Sequence, residues 1–209
     1  HKAARALAEY AAAQGCGKII PVHIGLEKNL PLGAGLGGGS SDAASCLQLL
    51  NHAWNIHACK EALANIAASL GSDVAACLTP HSQWMSGTGN QLYPADINAP
   101  LWAVLAYPMQ PVSAAAAYQG LQLENASTIL PEFSTFQCHN SADLLAYLAA
   151  ARNDLTRSAS SIAPVIQETL ELLQSLPQVK LVRMSGSGSC CFALFTSADH
   201  AEHGQHIIQ

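Results

Sequence analysis

Charge is scarce in this sequence. Only 11% of its 209 residues are Asp, Glu, Lys or Arg, against 50% hydrophobic. Nine basic residues face fourteen acidic ones, for a formal net charge of -5. A nucleic-acid-binding surface needs clustered Lys and Arg, so that class is excluded. The high apolar fraction excludes a disordered chain. No apolar run approaches the roughly 18 residues that a membrane span requires, so no membrane partner is expected. Charge blocks, internal repeats and low-complexity linkers are also missing. Cys-x-x-Cys is absent as well: the seven cysteines are odd in number, and Cys190 and Cys191 are adjacent. Neighbouring side chains on a strand point to opposite faces. A disulfide framework or zinc site is therefore not expected, and buried thiols in a reducing, cytoplasmic setting are. Lys2, Arg5 and Glu9 interrupt the Ala-rich opening from His1 to Gln14, which rules out reading it as a signal peptide.

What is present is periodicity and glycine. Residues 2–14 read as a helix stopped by Gly15 and Gly17. Residues 19–27 alternate, with Val22, Ile24 and Leu26 on one side, and predict a half-buried strand. Helices follow over 40–54, with Ala44, Leu47, Leu50 and Trp54 in register, and over 60–70 up to Gly71. Residues 82–93 read as a hairpin around Gly87-Thr88-Gly89-Asn90. A short apolar strand, 102–107, lies between Pro100 and Pro108. Helices over 114–121, 140–150 and 162–176 come next. Strands over 179–184 and 190–196 are joined by Ser185-Gly186-Ser187-Gly188-Ser189, and a last helix begins at Asp199. The prolines at 108–111 mark the expected boundary between domains 1–108 and 109–209. Strands and helices mix without a regular βαβ period, so the expected class is α+β.

The stretch Pro31-Leu32-Gly33-Ala34-Gly35-Leu36-Gly37-Gly38-Gly39-Ser40-Ser41-Asp42 carries most of the functional information. Glycines at 33, 35, 37, 38 and 39 let the backbone wrap closely around a ligand. Ser40 and Ser41 then open a helix, whose free N–H groups and dipole favour phosphate. The run satisfies the bare G-x-G-x-x-G fingerprint of dinucleotide sites. However, Lys28-Asn29-Leu30-Pro31 separates it from the preceding strand, and no acid stands near residues 51–55 to meet a ribose. Gly-Lys-Ser/Thr is absent, and so are Val-Ala-Ile-Lys and His-Arg-Asp. A Walker loop and a protein-kinase loop are excluded with them.

The run resembles the ATP-binding motif of the GHMP kinases. Gly-Leu-Gly-Gly-Gly-Ser-Ser-Asp-Ala-Ala is most similar to the branch acting on 4-diphosphocytidyl-2-C-methyl-D-erythritol. The resemblance extends to Leu-Gly-Ser-Asp-Val at 70–74, Gly-Thr-Gly-Asn at 87–90, Asn153-Asp154-Leu155, and Met-Ser-Gly-Ser-Gly-Ser-Cys-Cys-Phe-Ala at 184–193. It implies a two-lobed GHMP kinase fold with an ATP-binding lobe and a ferredoxin-like C-terminal lobe. It also implies ATP with Mg2+ as cofactors, a small cytidyl substrate, and phosphorylation of that substrate's 2-hydroxyl in non-mevalonate isoprenoid synthesis. Another alcohol substrate of the family, or an inactive nucleotide-binding fragment, are the alternatives; a substrate panel and a nucleotide-binding measurement separate them.

By the same resemblance Asp73 is the catalytic base, where its residue type alone suggests only a helix cap. Pro31 to Gly39 with Ser40, Ser41 and Lys28 hold ATP. Tyr118 stacks on the cytosine, although its type also suits a core aromatic. Gly186, Ser187 and Gly188 close the site, in addition to turning a hairpin. Two departures from the family stand out: Ala114 replaces a more usual Thr, and Ala75-Ala76 replaces Pro-Phe behind Asp73. The family's Lys-bearing first strand has no counterpart before His1, so the resemblance implies an N-terminally truncated chain with weak nucleotide binding and little activity. His200, His203 and His206 recur every third residue and read as a solvated helix face rather than metal ligands.

Overall fold

The computed structural model describes residues 1–16, 19–121 and 138–209, and these fall into two compact units. One comprises His1–Leu30 and Gly37–Ala95; the other comprises Pro31–Leu36 and Asp96–Gln209. The dividing points within the glycine run thus fall on either side of residues 31–36.

The first unit is built on three helices, α1 (Lys2–Ala13), α2 (Gly38–Ala53) and α3 (Lys60–Leu70). Helix α1 buries Ala3, Leu7 and Ala11, which recur every four residues and so line one face. They pack with Ala44, Leu47 and Leu50 of α2 and Ala67 of α3 into one apolar cluster that also holds Ile56, Val74 and Ala75. Helix α1 ends as its glycine predicts. Gly15 takes φ +65°, its N–H bonds to Ala12 O, and Cys16 N–H reaches back to Ala11 O at 2.9 Å. This is the paired closure that a left-handed glycine permits. The hairpin forms over β1 (Gln83–Ser86) and β2 (Gln91–Pro94), in register Gln83↔Pro94 to Ser86↔Gln91.

Two expectations in this unit are corrected. Residues 19–27 form no strand. Trp54 Nε1–H donates to Ile20 O at 3.0 Å, but among the described residues no strand pairs with the segment, and alternation alone cannot hold a strand without a hydrogen-bonded ladder. Ile19 packs against the apolar cluster, but Ile20, Val22, Ile24 and Leu26 are all exposed. Helix α2 starts at Gly38 rather than Ser40, so the two serines stand inside its first turn.

The second unit is a three-stranded antiparallel sheet with helices packed on it. The strands are β3 (Trp102–Ala106), β4 (Leu181–Met184) and β5 (Cys191–Phe195), in the order β3-β5-β4. Register runs Trp102↔Phe195 to Ala106↔Cys191 on one side of β5, and Leu181↔Leu194 to Met184↔Cys191 on the other. Along β5 alternate residues Cys191, Ala193 and Phe195 are fully buried, as a strand facing a helical layer requires. They meet Leu155 and Ala159 of α6 (Leu155–Ile162), Ile166 and Leu173 of α7 (Val165–Gln174), and Ala201 of α8 (Ala198–Ile208). Helices α4 (Ala114–Gln119) and α5 (Ser141–Ala150) complete the unit. Each begins at a side-chain cap: Ser113 accepts from Ala116 N–H, and Asn140 accepts from Ala142 and Asp143 N–H. The helix expected over 162–176 is two helices. Ile162 ends α6, and Pro164, which suits a helix start and not its interior, opens α7. The α+β class is as expected.

Candidate functional site

The second half of the glycine run, in the first unit, is a helix start without a side-chain cap. Gly37 is the N-cap, in the left-handed conformation with φ +67°, and has no side chain to offer the amides that follow. Its carbonyl accepts from Ser41 N–H at 2.9 Å. The N–H groups of the turn before Ser41 are those a helix leaves without an intrahelical partner. Glycines at its first two positions keep Cβ atoms away from those groups, and a Cβ at Gly39 would meet nothing within 4 Å. Ser40 and Ser41 stand within the first turn, as hydroxyls on the helix and not as its cap. Lys28 lies against this turn. Its Nζ is 2.5 Å from Asp42 Oδ2, and a Cβ at Gly38 would sit 2.9 Å from that same Nζ.

Asp73, also in the first unit, sits in the turn after α3, ahead of a short 3-10 turn over Ala76–Leu78. It is not that turn's cap: Ala75 holds the cap position, with no side-chain bond. The Asp73 side chain is exposed and accepts from Ser72 Oγ at 3.3 Å, while Val74 and Ala75 behind it are buried. Cys77 feels this neighbour. Burial chiefly, and then the Asp73 charge, raise its thiol above the ordinary value. The hairpin tip braces the same turn. Gly89 has φ +88°, and a Cβ there would meet Ser72 O at 2.7 Å. The Gly-Thr-Gly-Asn motif is therefore a close-approach element beside Asp73, a role that its turn-like composition does not announce.

The first half of the glycine run, in the second unit, is held by the 185–189 turn. Ser185 Oγ donates to Gly35 O at 2.8 Å, and Cys190 N–H donates to Ala34 O at 3.0 Å. Backbones meet directly here. A Cβ at Gly35 would lie 2.4 Å from Ser185 O, and one at Gly186 would lie 3.0 Å from Gly35 O. Tyr107 OH donates to Leu32 O at 3.4 Å. Gly186, Ser187 and Gly188 thus stand in the turn that abuts residues 34–35, whose strands β4 and β5 are rooted in the sheet. Pro31, Leu32 and Gly33 are exposed, and Ala34 is buried.

Tyr118, in the same unit, is 62% exposed, while its neighbour Ala117 is fully buried. It is not a core aromatic, and its ring is open to solvent. His200, His203 and His206 are each exposed on α8, while Ala201 and Gly204 of the same helix are buried. Among the described residues no group of three His, Cys, Asp or Glu side chains could hold a metal ion. The seven cysteines are free thiols; burial raises the Cys190 thiol above its ordinary value and pushes Cys191 to about 12, with Cys190 adding to the shift on its neighbour. No helix among the described residues is long and apolar enough to cross a membrane.

Residues 1–80 match the family described as GHMP kinases N terminal domain, and residues 136–209 match GHMP kinases C terminal. A relative from Parvibaculum lavamentivorans named 4-diphosphocytidyl-2-C-methyl-D-erythritol kinase is 37% identical over 187 residues, covering 90% of this chain and 64% of the relative. A relative of the same name from Granulibacter bethesdensis is 38% identical over 209 residues, covering 100% of this chain and 66% of its own length. The chain therefore spans slightly under two thirds of the curated relatives it matches. A crystal structure of 4-(cytidine 5'-diphospho)-2C-methyl-D-erythritol kinase superposes with a TM-score of 0.70 at 29% identity, over 99% of this chain and 73% of that one. The homoserine kinase of Cytophaga hutchinsonii shares the fold at 16% identity, with a TM-score of 0.62 over 100% of this chain and 73% of its own. Two family matches in chain order, and the helix start and paired glycine turns they span, place the chain among the GHMP kinases.

Proposed function

We propose that this chain serves an ATP-dependent kinase that phosphorylates the 2-hydroxyl of 4-diphosphocytidyl-2-C-methyl-D-erythritol, a step of non-mevalonate isoprenoid synthesis. The reading rests on the likeness to relatives of that name over 90% or more of the chain. The local geometry suits the chemistry. Phosphoryl transfer needs positioning and charge stabilisation more than covalent participation by the protein. The helix start at Gly37–Ser40 has the donors and dipole for phosphate oxygens, and glycines where side chains would obstruct them. Ser40 and Ser41 add hydroxyl donors, and Lys28 adds a cation at the same turn. ATP supplies the γ-phosphoryl group, and Mg2+ carried on its phosphates offsets their charge.

Asp73 is the base. Its exposed carboxylate is not engaged as a helix cap, so it is free to take the proton of the attacking hydroxyl. Tyr118 presents an open aromatic face on which a cytosine ring can stack, an interaction worth about 1–3 kcal/mol. The Gly186–Gly188 turn fixes residues 34–35, the first half of the glycine run. Domains 1–108 and 109–209 are the proposed kinase lobes, and the setting proposed for this chemistry is the cytoplasm.

The test is an ADP-release assay on the intact gene product, with the cytidyl substrate set against homoserine, mevalonate and galactose. Turnover restricted to the cytidyl alcohol supports the reading. Preference for another alcohol, or ATP binding without turnover on any, overturns it.

A further inference from the structure

Asn153 is the point from which the two glycine segments of the second unit are held together. It precedes α6, and its side-chain amide is committed in three directions. Nδ2 donates to Met184 O at 3.0 Å and to Gly186 O at 2.8 Å, and Oδ1 accepts from Leu155 N–H at 3.1 Å. An amide nitrogen carries two protons, so both are used, on carbonyls that flank Ser185. The amide cannot be turned over, because Oδ1 would then face two carbonyl oxygens.

The residue pinned between those carbonyls is the one that reaches the glycine run. Ser185 Oγ donates to Gly35 O, Ser185 N–H bonds Cys190 O at 2.8 Å, and Cys190 N–H donates to Ala34 O. Gly188 N–H closes the turn on Ser185 O at 2.9 Å. These bonds form a continuous chain from Asn153 to the backbone of residues 34–35. Gly35 and Gly186 make that contact without side chains, so little but hydrogen bonding sets its geometry.

From this chain of bonds we infer that Asn153 is a positioning residue: it sets the 185–189 turn, and through it the first half of the glycine run. The inference rests on the reading of residues 31–41 as the nucleotide loop, although its first readout does not.

The variant is Asn153→Asp in the full chain. It keeps Oδ1 as acceptor and replaces both donors with an acceptor facing two carbonyls. Amide exchange is read at Cys190 and Gly188, whose N–H groups bond Ala34 O and Ser185 O, and affinity for a non-hydrolysable ATP analogue is measured alongside. Exchange at both amides is expected to quicken at least tenfold, with about tenfold weaker nucleotide binding and an unchanged exchange pattern in α1. Asp154→Asn, which removes only a solvent-exposed pair with Arg152, is expected to leave both readouts alone. Unchanged exchange at Cys190 in Asn153→Asp overturns the inference, and so does quickened exchange with unchanged nucleotide affinity. A wild-type chain that binds no nucleotide counts against the nucleotide-loop reading, while exchange at Cys190 still decides whether Asn153 sets the turn. Asn153→Ala, which removes the donors without adding an acceptor, is expected to give the same pattern more weakly.

Discussion

Lys28 Nζ stands 2.5 Å from Asp42 Oδ2, with the two side chains 22% and 33% exposed. The pair ties the segment before the glycine run to the first turn of α2. The carboxylate holds a cation at the helix start, where the dipole would otherwise repel it.

The first prediction concerns that cation. In Lys28→Gln the charge over Gly38 is lost, and ATP-analogue affinity is expected to fall about tenfold, in line with one charge-assisted contact. Isothermal titration checks it. Raising salt should weaken the wild type more than the variant, because the lost term is electrostatic.

Gly35 and Gly39 separate backbone need from helix propensity. Gly35→Ala puts a Cβ 2.4 Å from Ser185 O at a residue with φ +73°, so a loss of about 2–4 kcal/mol is expected from strain and overpacking together. Gly39→Ala enters open space in the first turn of α2 and should gain about 0.5–1 kcal/mol. Urea unfolding of both variants measures the contrast.

Asp73→Asn is expected to leave the melting temperature unchanged, since the carboxylate is exposed and accepts a single long bond from Ser72. Turnover of the intact gene product should fall about 10²–10⁴-fold, the usual contribution of a positioned base. ADP release with the cytidyl substrate reads it.

Cys191 gives a pH prediction. Burial, with Cys190 adding, pushes its thiol from an ordinary value near 9 up to about 12. The folded chain then keeps a proton that the unfolded chain loses above pH 9. The sign follows: stability is unaffected below pH 9 and falls as pH rises toward 12, by at most about 1.4 kcal/mol per pH unit from this group. Denaturation midpoints between pH 8 and 10.5, under reducing conditions, should fall with pH. Cys191→Ala should flatten that fall.

Helices and turns were legible because their signals are local. Gly15 closes α1, Asn140 caps α5, and Gly87 to Asn90 turn the hairpin as their residue types dictate. The split at Pro164 was also written in the sequence, but the apolar period on both sides hid it. The alternation of 19–27 does not make a strand because a strand is a property of two segments, and among the described residues no second one pairs with it. At the candidate site, the glycine run and its serines were visible, while the N-cap lay at Gly37, ahead of the serines expected to begin the helix. Asn153 and Gly89 stood inside motifs noticed for their likeness to the family, but what each touches lies 31–33 and 17 residues away along the chain, a distance that periodicity cannot span.

The contact between Gly35 and Gly186 places main chain against main chain. A side chain added at Gly35 collides with backbone atoms that every amino acid shares, and one at Gly186 crowds Gly35 O at 3.0 Å from a left-handed φ of +52°. No replacement elsewhere can clear the space, so a loss-of-function change at either glycine should have no single-residue suppressor in the opposing turn. In a selection for revertants, true reversion to glycine should dominate.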